Sequence, residues 1–297
     1  MNQDFCRCYI GDISLHILQE VQREIKELNE WELLVGAEFN YKESYGYRDG
    51  IWERDELLLQ ALAKRSVIAE TRNPNNVKPS LIWNNALMIA DVITLLSVAH
   101  ARYYSTLAIE RSIGPRYSIS WGVMVRQELS GDFDIVSLSN LGRFIFEALK
   151  FIEQNRSSLQ ETGFIPSIYW YAQAQISYHT APSVLEMALY WVSMEIIAGA
   201  YIDGQRLKIV PKKEKVNRFV TDQGYAGSDW NFLDGVIDDW YEIRNSLFHE
   251  GKQQFSVDVL KTRRQQIRDF MSLVLVEMLQ KQGETRRKEI AARMQRY

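Results

Sequence analysis

Two hydrophobic periods alternate along the first 135 residues of the chain. Apolar and polar positions alternate over residues 13–17, 33–41 and 117–125, as they do in half-buried strands. Residues 19–29 and 53–63 have helical spacing, and Ser80 is placed to cap a long helix through 81–104. A turn is predicted at the Asn-Pro-Asn-Asn sequence of residues 73–76. We therefore expect residues 1–136 to form a mixed α+β N-terminal domain.

From residue 137 onward only the helical period remains. Apolar spacings of three and four predict five helices, which contain Leu141–Ile152, begin near Pro166 and Ser183, and contain Phe232–Leu247 and Leu260–Met278. The helix after Ser183 is apolar on nearly every side, which is typical of the buried centre of a bundle. The pattern predicts a mainly α protein in which residues 137–297 form an antiparallel helix bundle with a basic C-terminal tail.

The composition excludes few classes of protein. The chain has 297 residues, of which 46% are hydrophobic and 25% charged, as in ordinary globular proteins. The sequence contains no apolar run long enough for a membrane span and no signal-peptide pattern, so we expect a cytoplasmic protein that does not act in the membrane. Cys6 and Cys8 lack the partners of a zinc site, and no cofactor motif occurs, so we expect neither metal nor cofactor.

Charge is distributed unevenly along the chain. Residues 1–204 carry 17 Lys and Arg against 25 Asp and Glu, whereas residues 205–297 carry 18 against 13. The C-terminal third therefore has the charge to hold a polyanion such as RNA, although solvated helix faces explain any single basic stretch equally well. The candidate RNA-binding residues are Lys212, Lys213, Lys215, Arg218, Lys252, Arg263 and Arg264.

One short stretch at the end of the fourth predicted helix combines residues suited to phosphate chemistry. Arg244 and Asn245 precede His249, and of the four histidines only His249 has an arginine five to seven residues before it. His249 can move a proton, Arg244 can neutralise charge that develops on phosphorus, and Asn245 can orient either residue. Asn245 and His249 share a helix face, and Arg244 reaches His249 more easily if the last turn loosens before Gly251.

The sequence Arg244-Asn245-Ser246-Leu247-Phe248-His249 resembles the R-x(4-6)-H motif of HEPN domains (higher eukaryotes and prokaryotes nucleotide-binding). Glu250-Gly251 and the helix LEMALYWVSMEIIAG are similar to the Apea-like HEPN type of prokaryotic anti-phage defence, and the resemblance covers residues 155–280. It implies a helical bundle, a homodimer, and a metal-independent endoribonuclease that leaves a 2′,3′-cyclic phosphate. It also implies that Arg244 and His249 are the catalytic pair, supported by Asn245, in an antiviral toxin that acts by abortive infection.

Three further features of the sequence bear on this site. RNA cleavage through the 2′-hydroxyl needs both a base and an acid, and the motif supplies one histidine per chain, which favours a homodimer with its site on the two-fold axis. Glu195 lies within the most apolar helix, where an ion pair that orients Arg244 and a position at the bundle surface are both plausible. The same helix carries Asp234, Asp238, Asp239 and Glu242, which would repel RNA unless they face away. Asp238 and Glu242 lie near Asn245 and His249 on the helical wheel.

Other roles remain open on the sequence alone. The chain can be a non-catalytic HEPN module that binds nucleotide or RNA, or a protein-interaction module in which His249 caps a helix. The aromatic cluster Tyr169, Trp170, Tyr171, Tyr190 and Trp191 suits core packing, with base stacking as the alternative. A nuclease of this kind would have as partners an activating phage component or an antitoxin, and its N-terminal domain would act as a sensor.

Overall fold

The described part of the chain is mainly α. The computed structural model describes residues 5–11, 67–72, 94–95, 97–99, 105–113, 116–121, 135–136, 138–177, 183–206, 211–246, 248 and 255–297. The chain divides into two compact units, one of residues 1–97, 104–128 and 137–149 and the other of residues 98–103, 129–136 and 150–297. Residues 137–149, which the sequence pattern assigns to the C-terminal domain, thus group with the first unit.

Four strands of the first unit form an antiparallel sheet. They are β1 (Phe5–Gly11), β2 (Val67–Arg72), β3 (Ser105–Ile113) and β4 (Arg116–Trp121). The order is β2-β1-β3-β4, with Cys8 opposite both Ala69 and Ile109 and a register shift in β1 between Tyr9 and Ile10. β3 and β4 form a hairpin in which Ile113 pairs with Arg116. The sheet therefore has β2 and β4 at its edges.

Seven helices follow in the described part of the chain. They are α1 (Leu138–Glu161), α2 (Phe164–Ser177), α3 (Ser183–Gly204), α4 (Lys212–Asp222), α5 (Leu233–Asn245), α6 (Val257–Leu279) and α7 (Glu284–Met294). The backbone of α1 is kinked at Asn155, whose side-chain amide donates to the carbonyl of Phe151 at 2.9 Å. α6 begins at a conventional cap, because the hydroxyl of Ser256 accepts from the amide of Val259 at 3.3 Å.

The second unit is packed around α3. Met187, Trp191, Met194 and Ala198 of this helix are all buried, as are Phe270 and Val274 of α6. Among the described helices only α3 is long and apolar enough to cross a membrane, and 56% of its apolar stretch is buried inside the protein. A core helix satisfies the same criterion of length and hydropathy, and burial on this scale is what the all-round apolar pattern predicts.

Small side chains let α2 and α3 approach closely. The hydroxyl of Ser167 lies 2.9 Å from the carbonyl of Ser193, and the hydroxyl of Ser193 donates to the carbonyl of Ser167 at 2.8 Å. Gly163, at φ +75°, leaves only 3.0 Å between the position of an added Cβ and the carbonyl oxygen of Ile196. The α2–α3 hairpin is therefore fixed at one end by a glycine and along its length by paired serines.

The sequence pattern predicts most but not all of these elements. The helices predicted after Pro166 and Ser183 and around Leu260 are confirmed, as is a strand at Tyr117, although β4 ends at Trp121. The pattern missed three strands, β1, β2 and β3, and two helices, α4 and α7, which lie in the basic stretch and the basic tail. The strands predicted at 13–17 and 33–41, the helices at 19–29 and 53–63, and the turn at 73–76 lie outside the described residues.

Candidate functional site

The candidate site lies at the C-terminal end of α5. This helix is held in the bundle by a buried apolar stripe of Val236, Trp240 and Ile243, and the indole of Trp240 donates to the carbonyl of Arg263 on α6 at 3.1 Å. α5 ends at Asn245, and Ser246 and Phe248 continue it in a wider, π-type turn. The helix therefore loosens directly after Arg244 and Asn245. Such loosening would ease a contact between Arg244 and His249, and π-type turns often mark functional sites.

Arg244 and Asn245 are joined to each other. Nη1 of Arg244 donates to Oδ1 of Asn245 at 3.1 Å, whereas the supporting role of Asn245 in catalysis stays a prediction. The guanidinium of Arg244 also lies 5.2 Å from the centre of the Phe248 ring, within the range of a cation–π interaction. Arg244 and Asn245 are both half-buried. His249 lies outside the described residues, as do His16, His100 and His179, so the Arg244–His249 pair stays a prediction.

Two acidic residues of α5, Asp238 and Asp239, are paired with cations of the two neighbouring helices. Asp238 accepts from Nζ of Lys213 on α4 at 2.8 Å, and this contact raises the pKa of the Lys213 ammonium. Asp239 lies 2.7 Å from Nη2 of Arg263 on α6. These pairs neutralise two of the carboxylates that were expected to repel RNA, and they use two of the cations that were expected to bind it.

The remaining described RNA-binding candidates also contact carboxylates. Arg218 lies 2.9 Å from Asp222, four residues along α4. The other pairs join different helices, at 2.7 Å for Lys212 with Glu195, 3.3 Å for Lys215 with Asp203 and 3.7 Å for Arg264 with Glu186. Lys252 lies outside the described residues. The basic stretch of α4 is therefore a partly neutralised surface.

Glu195 is placed at the edge of the core. Its carboxylate, with 15% of the side chain exposed, lies 2.7 Å from Nζ of Lys212, so the charge in this apolar helix is paired with a cation of α4. The predicted role of Glu195 in orienting Arg244 stays a prediction. Glu186, in the first turn of the same helix, is buried more deeply and contacts Arg264 of α6.

Glu186 belongs to a buried polar cluster that the sequence did not reveal. Burial raises the pKa of its carboxyl to about 7, and the positive charges of Arg264 and Arg268 limit that rise. Nη2 of Arg268 pairs with Asp269 at 3.0 Å, and Tyr171 is hydrogen-bonded to Ser272. The only signals available in the sequence were charged residues at apolar positions of α3 and α6.

The aromatic residues divide between core and surface. Tyr171, Tyr190 and Trp191 are buried, which confirms core packing for these three, whereas Tyr169 is exposed beside Trp170. Two further rings lie beside the candidate site: Tyr241, whose ring centre is 5.6 Å from that of Trp191, and Phe248. Tyr241 and Phe248 are seven residues apart, on either side of Arg244, and this spacing is the signal in the sequence that indicates them.

The described residues contain no group of three or more His, Cys, Asp or Glu side chains that could hold a metal ion. Comparison of the chain with models of protein families, with curated proteins and with solved structures finds no match.

Proposed function

We propose that the protein is a metal-independent endoribonuclease of HEPN type, with Arg244 and His249 as its catalytic pair and Asn245 as their support. The observation that carries this proposal is the contact of Nη1 of Arg244 with Oδ1 of Asn245 at a loosened helix end, since it joins two of the three motif residues, five and four positions before His249 in the sequence. The motif resemblance over residues 155–280 and the mainly helical fold support the same conclusion.

The proposed reaction requires no group from outside the protein and its RNA. One His249 imidazole takes the proton of a ribose 2′-hydroxyl, and the 2′-oxygen attacks the adjacent phosphorus. Arg244 stabilises the charge on the pentavalent phosphorus. The bond to the 5′-oxygen then breaks, and that oxygen receives a proton. The products are a 2′,3′-cyclic phosphate and a 5′-hydroxyl end.

The proposal includes a homodimer. One histidine per chain serves as base, and a second copy across a two-fold axis supplies the acid that protonates the 5′-oxygen. In this proposal the N-terminal part, a mixed α+β domain, senses an activating phage component or contacts an antitoxin. The setting that follows is a cytoplasmic toxin of antiviral defence that arrests growth by cleaving RNA.

The test compares wild-type protein with His249→Ala and Arg244→Ala on a labelled mixed RNA pool in EDTA, with the product ends analysed. His179→Ala and Arg143→Ala serve as controls, since the first is another histidine and the second removes an exposed pair with Glu147. We expect cyclic phosphate ends from wild type and both controls, and a loss of at least roughly 100-fold in each site variant. Equal cleavage by all five proteins, or none by wild type with phage lysate added, would refute the proposal.

A non-catalytic role as a nucleotide- or RNA-binding or protein-interaction module is the second candidate. The pairing of all six described candidate cations with carboxylates at 2.7 to 3.7 Å lowers the attraction for a polyanion, and so favours the protein-interaction module among these non-catalytic roles. RNA binding by wild type that is weakened in Arg244→Ala, without any cleavage, is the result that distinguishes a binding module from an interaction module.

A further inference from the structure

Phe248 has an environment that core packing does not explain. Its side chain is 51% exposed, although it lies three residues after Asn245 and four after Arg244, in the turn that ends α5. Tyr241, one turn before Asn245, differs because its ring already packs against the buried Trp191. Phe248 therefore presents an apolar ring to solvent beside the proposed catalytic arginine, and such a ring is available to a ligand.

A cation lies over each of the two rings. The guanidinium of Arg244 is 5.2 Å from the ring centre of Phe248, and Nζ of Lys213 is 6.0 Å from the ring centre of Tyr241. Alternation of aromatic rings with cations is the chemistry by which proteins hold single-stranded nucleic acid, because each ring stacks a base and each cation contacts a phosphate. A rise of about 1.5 Å per residue separates the two rings by roughly 10 Å along the helix, which is on the order of two nucleotides.

We infer that Phe248 is the base-stacking residue of this site. In this arrangement the base next to the phosphate held by Arg244 stacks on the exposed face of the Phe248 ring. The inference rests on the proposed function, because that function supplies the phosphate at Arg244. It adds a preference for unpaired RNA, since a base in a duplex cannot leave its neighbours to stack on a side chain without a cost in free energy.

An exposed phenylalanine also suits an apolar protein partner, as an interface anchor. The contact of Arg244 with the Phe248 ring favours RNA instead, because an apolar partner would have to desolvate the guanidinium together with the ring. The experiment below separates the two possibilities, since the presence or absence of bases in the ligand changes stacking alone.

The test measures binding of fluorescent 2′-O-methyl oligonucleotides, which carry no free 2′-hydroxyl and so stay intact, at one fixed salt concentration. Two ligands are compared: a single-stranded oligonucleotide with all its bases, and one of equal length and charge without bases. The variants are Phe248→Leu and Phe248→Trp, with Phe151→Leu as control, because Phe151 on α1 is also an exposed phenylalanine. Circular dichroism and thermal unfolding establish that each variant is folded.

We expect Phe248→Leu to weaken binding of the base-bearing oligonucleotide roughly five-fold or more, while Phe248→Trp and Phe151→Leu bind like wild type. The oligonucleotide without bases should bind wild type and Phe248→Leu equally. No binding by wild type, equal binding by Phe248→Leu, or an equal loss with both ligands overturns the inference.

The two experiments distinguish failure of the inference about Phe248 from failure of the ribonuclease proposal. If the base-dependent loss appears and unmodified RNA is not cleaved, Phe248 stacks bases in a module without nuclease activity. If cleavage depends on Arg244 and His249 while Phe248→Leu binds and cleaves like wild type, only the inference about Phe248 fails.

Discussion

The buried carboxyl of Glu186 leads to a prediction about stability that a single substitution tests. Glu186 is 3% exposed, and its pKa of about 7 lies above its ordinary value of 4.5. Between these two values the folded protein binds more protons than the unfolded chain, so the free energy of unfolding falls as pH rises from about 4.5 to 7. At about 1.4 kcal/mol per pKa unit, this loss amounts to roughly 3 kcal/mol.

Glu186→Gln removes the ionisable group and keeps nearly the same shape. The difference in unfolding free energy between wild type and this variant, measured by urea denaturation, should therefore shift by roughly 3 kcal/mol between pH 4.5 and pH 7.5, to the disadvantage of wild type at the higher pH. Glu147→Gln, which alters an exposed pair with Arg143 on α1, is the control and should give a difference of less than about 1 kcal/mol at either pH.

A shift below about 0.5 kcal/mol for Glu186→Gln, or one of opposite sign, would refute the reasoning. The first result would mean that Arg264 and Arg268 compensate for the lost solvation of the carboxylate, and that Glu186 is ionised in the folded protein throughout this range. An ionised Glu186 would be a buried ion pair of the kind that is costly to break from either side.

Two further predictions concern the surface of α5 and the α2–α3 hairpin. Asp238→Asn frees Lys213, so we expect it to tighten RNA binding by up to roughly five-fold and to steepen the salt dependence of binding. The control Glu284→Gln on α7 should change neither quantity. Binding titrations at several salt concentrations measure both quantities, and equal slopes for Asp238→Asn and wild type would count against the prediction. Gly163→Ala should lower the free energy of unfolding by about 2 kcal/mol, because it combines a φ of +75° with a Cβ only 3.0 Å from the backbone of Ile196. Gly199→Ala, which meets nothing within 4 Å on α3, should instead raise it by up to about 1 kcal/mol; urea denaturation of both variants checks the two signs, and a stable Gly163→Ala protein would contradict the argument.

The sequence predicted the apolar helices best. α3 begins at Ser183 and ends at Gly204, as expected, because a long apolar run between a capping serine and a glycine allows few other solutions. α4 was missed because only Val216, Phe219 and Val220 of its eleven residues are buried, too few for a clear period among so many charges. Pro211, directly before it, was the available signal for a helix start.

The candidate site was predictable as a set of residue types but not as a set of contacts. Arg244 and Asn245 are neighbours in the sequence, but consecutive side chains of a helix do not face each other, so their contact was not predictable from helical geometry. The partner of Glu195 is Lys212, across a helix boundary, and that of Arg263 is Asp239, twenty-four residues away. Such contacts depend on how α3, α4, α5 and α6 pack, which no short-range pattern records.

The interleaving of acids and bases across α3, α4 and α5 has a kinetic consequence. Lys212 with Glu195 and Lys213 with Asp238 form close pairs, whose fields cancel within about one Debye length of the surface. A polyanion approaching this face thus meets little long-range attraction, despite the excess of Lys and Arg in the C-terminal third. Encounter would be slow and nearly independent of ligand charge, so that discrimination between ligands would rest on their residence time once bound.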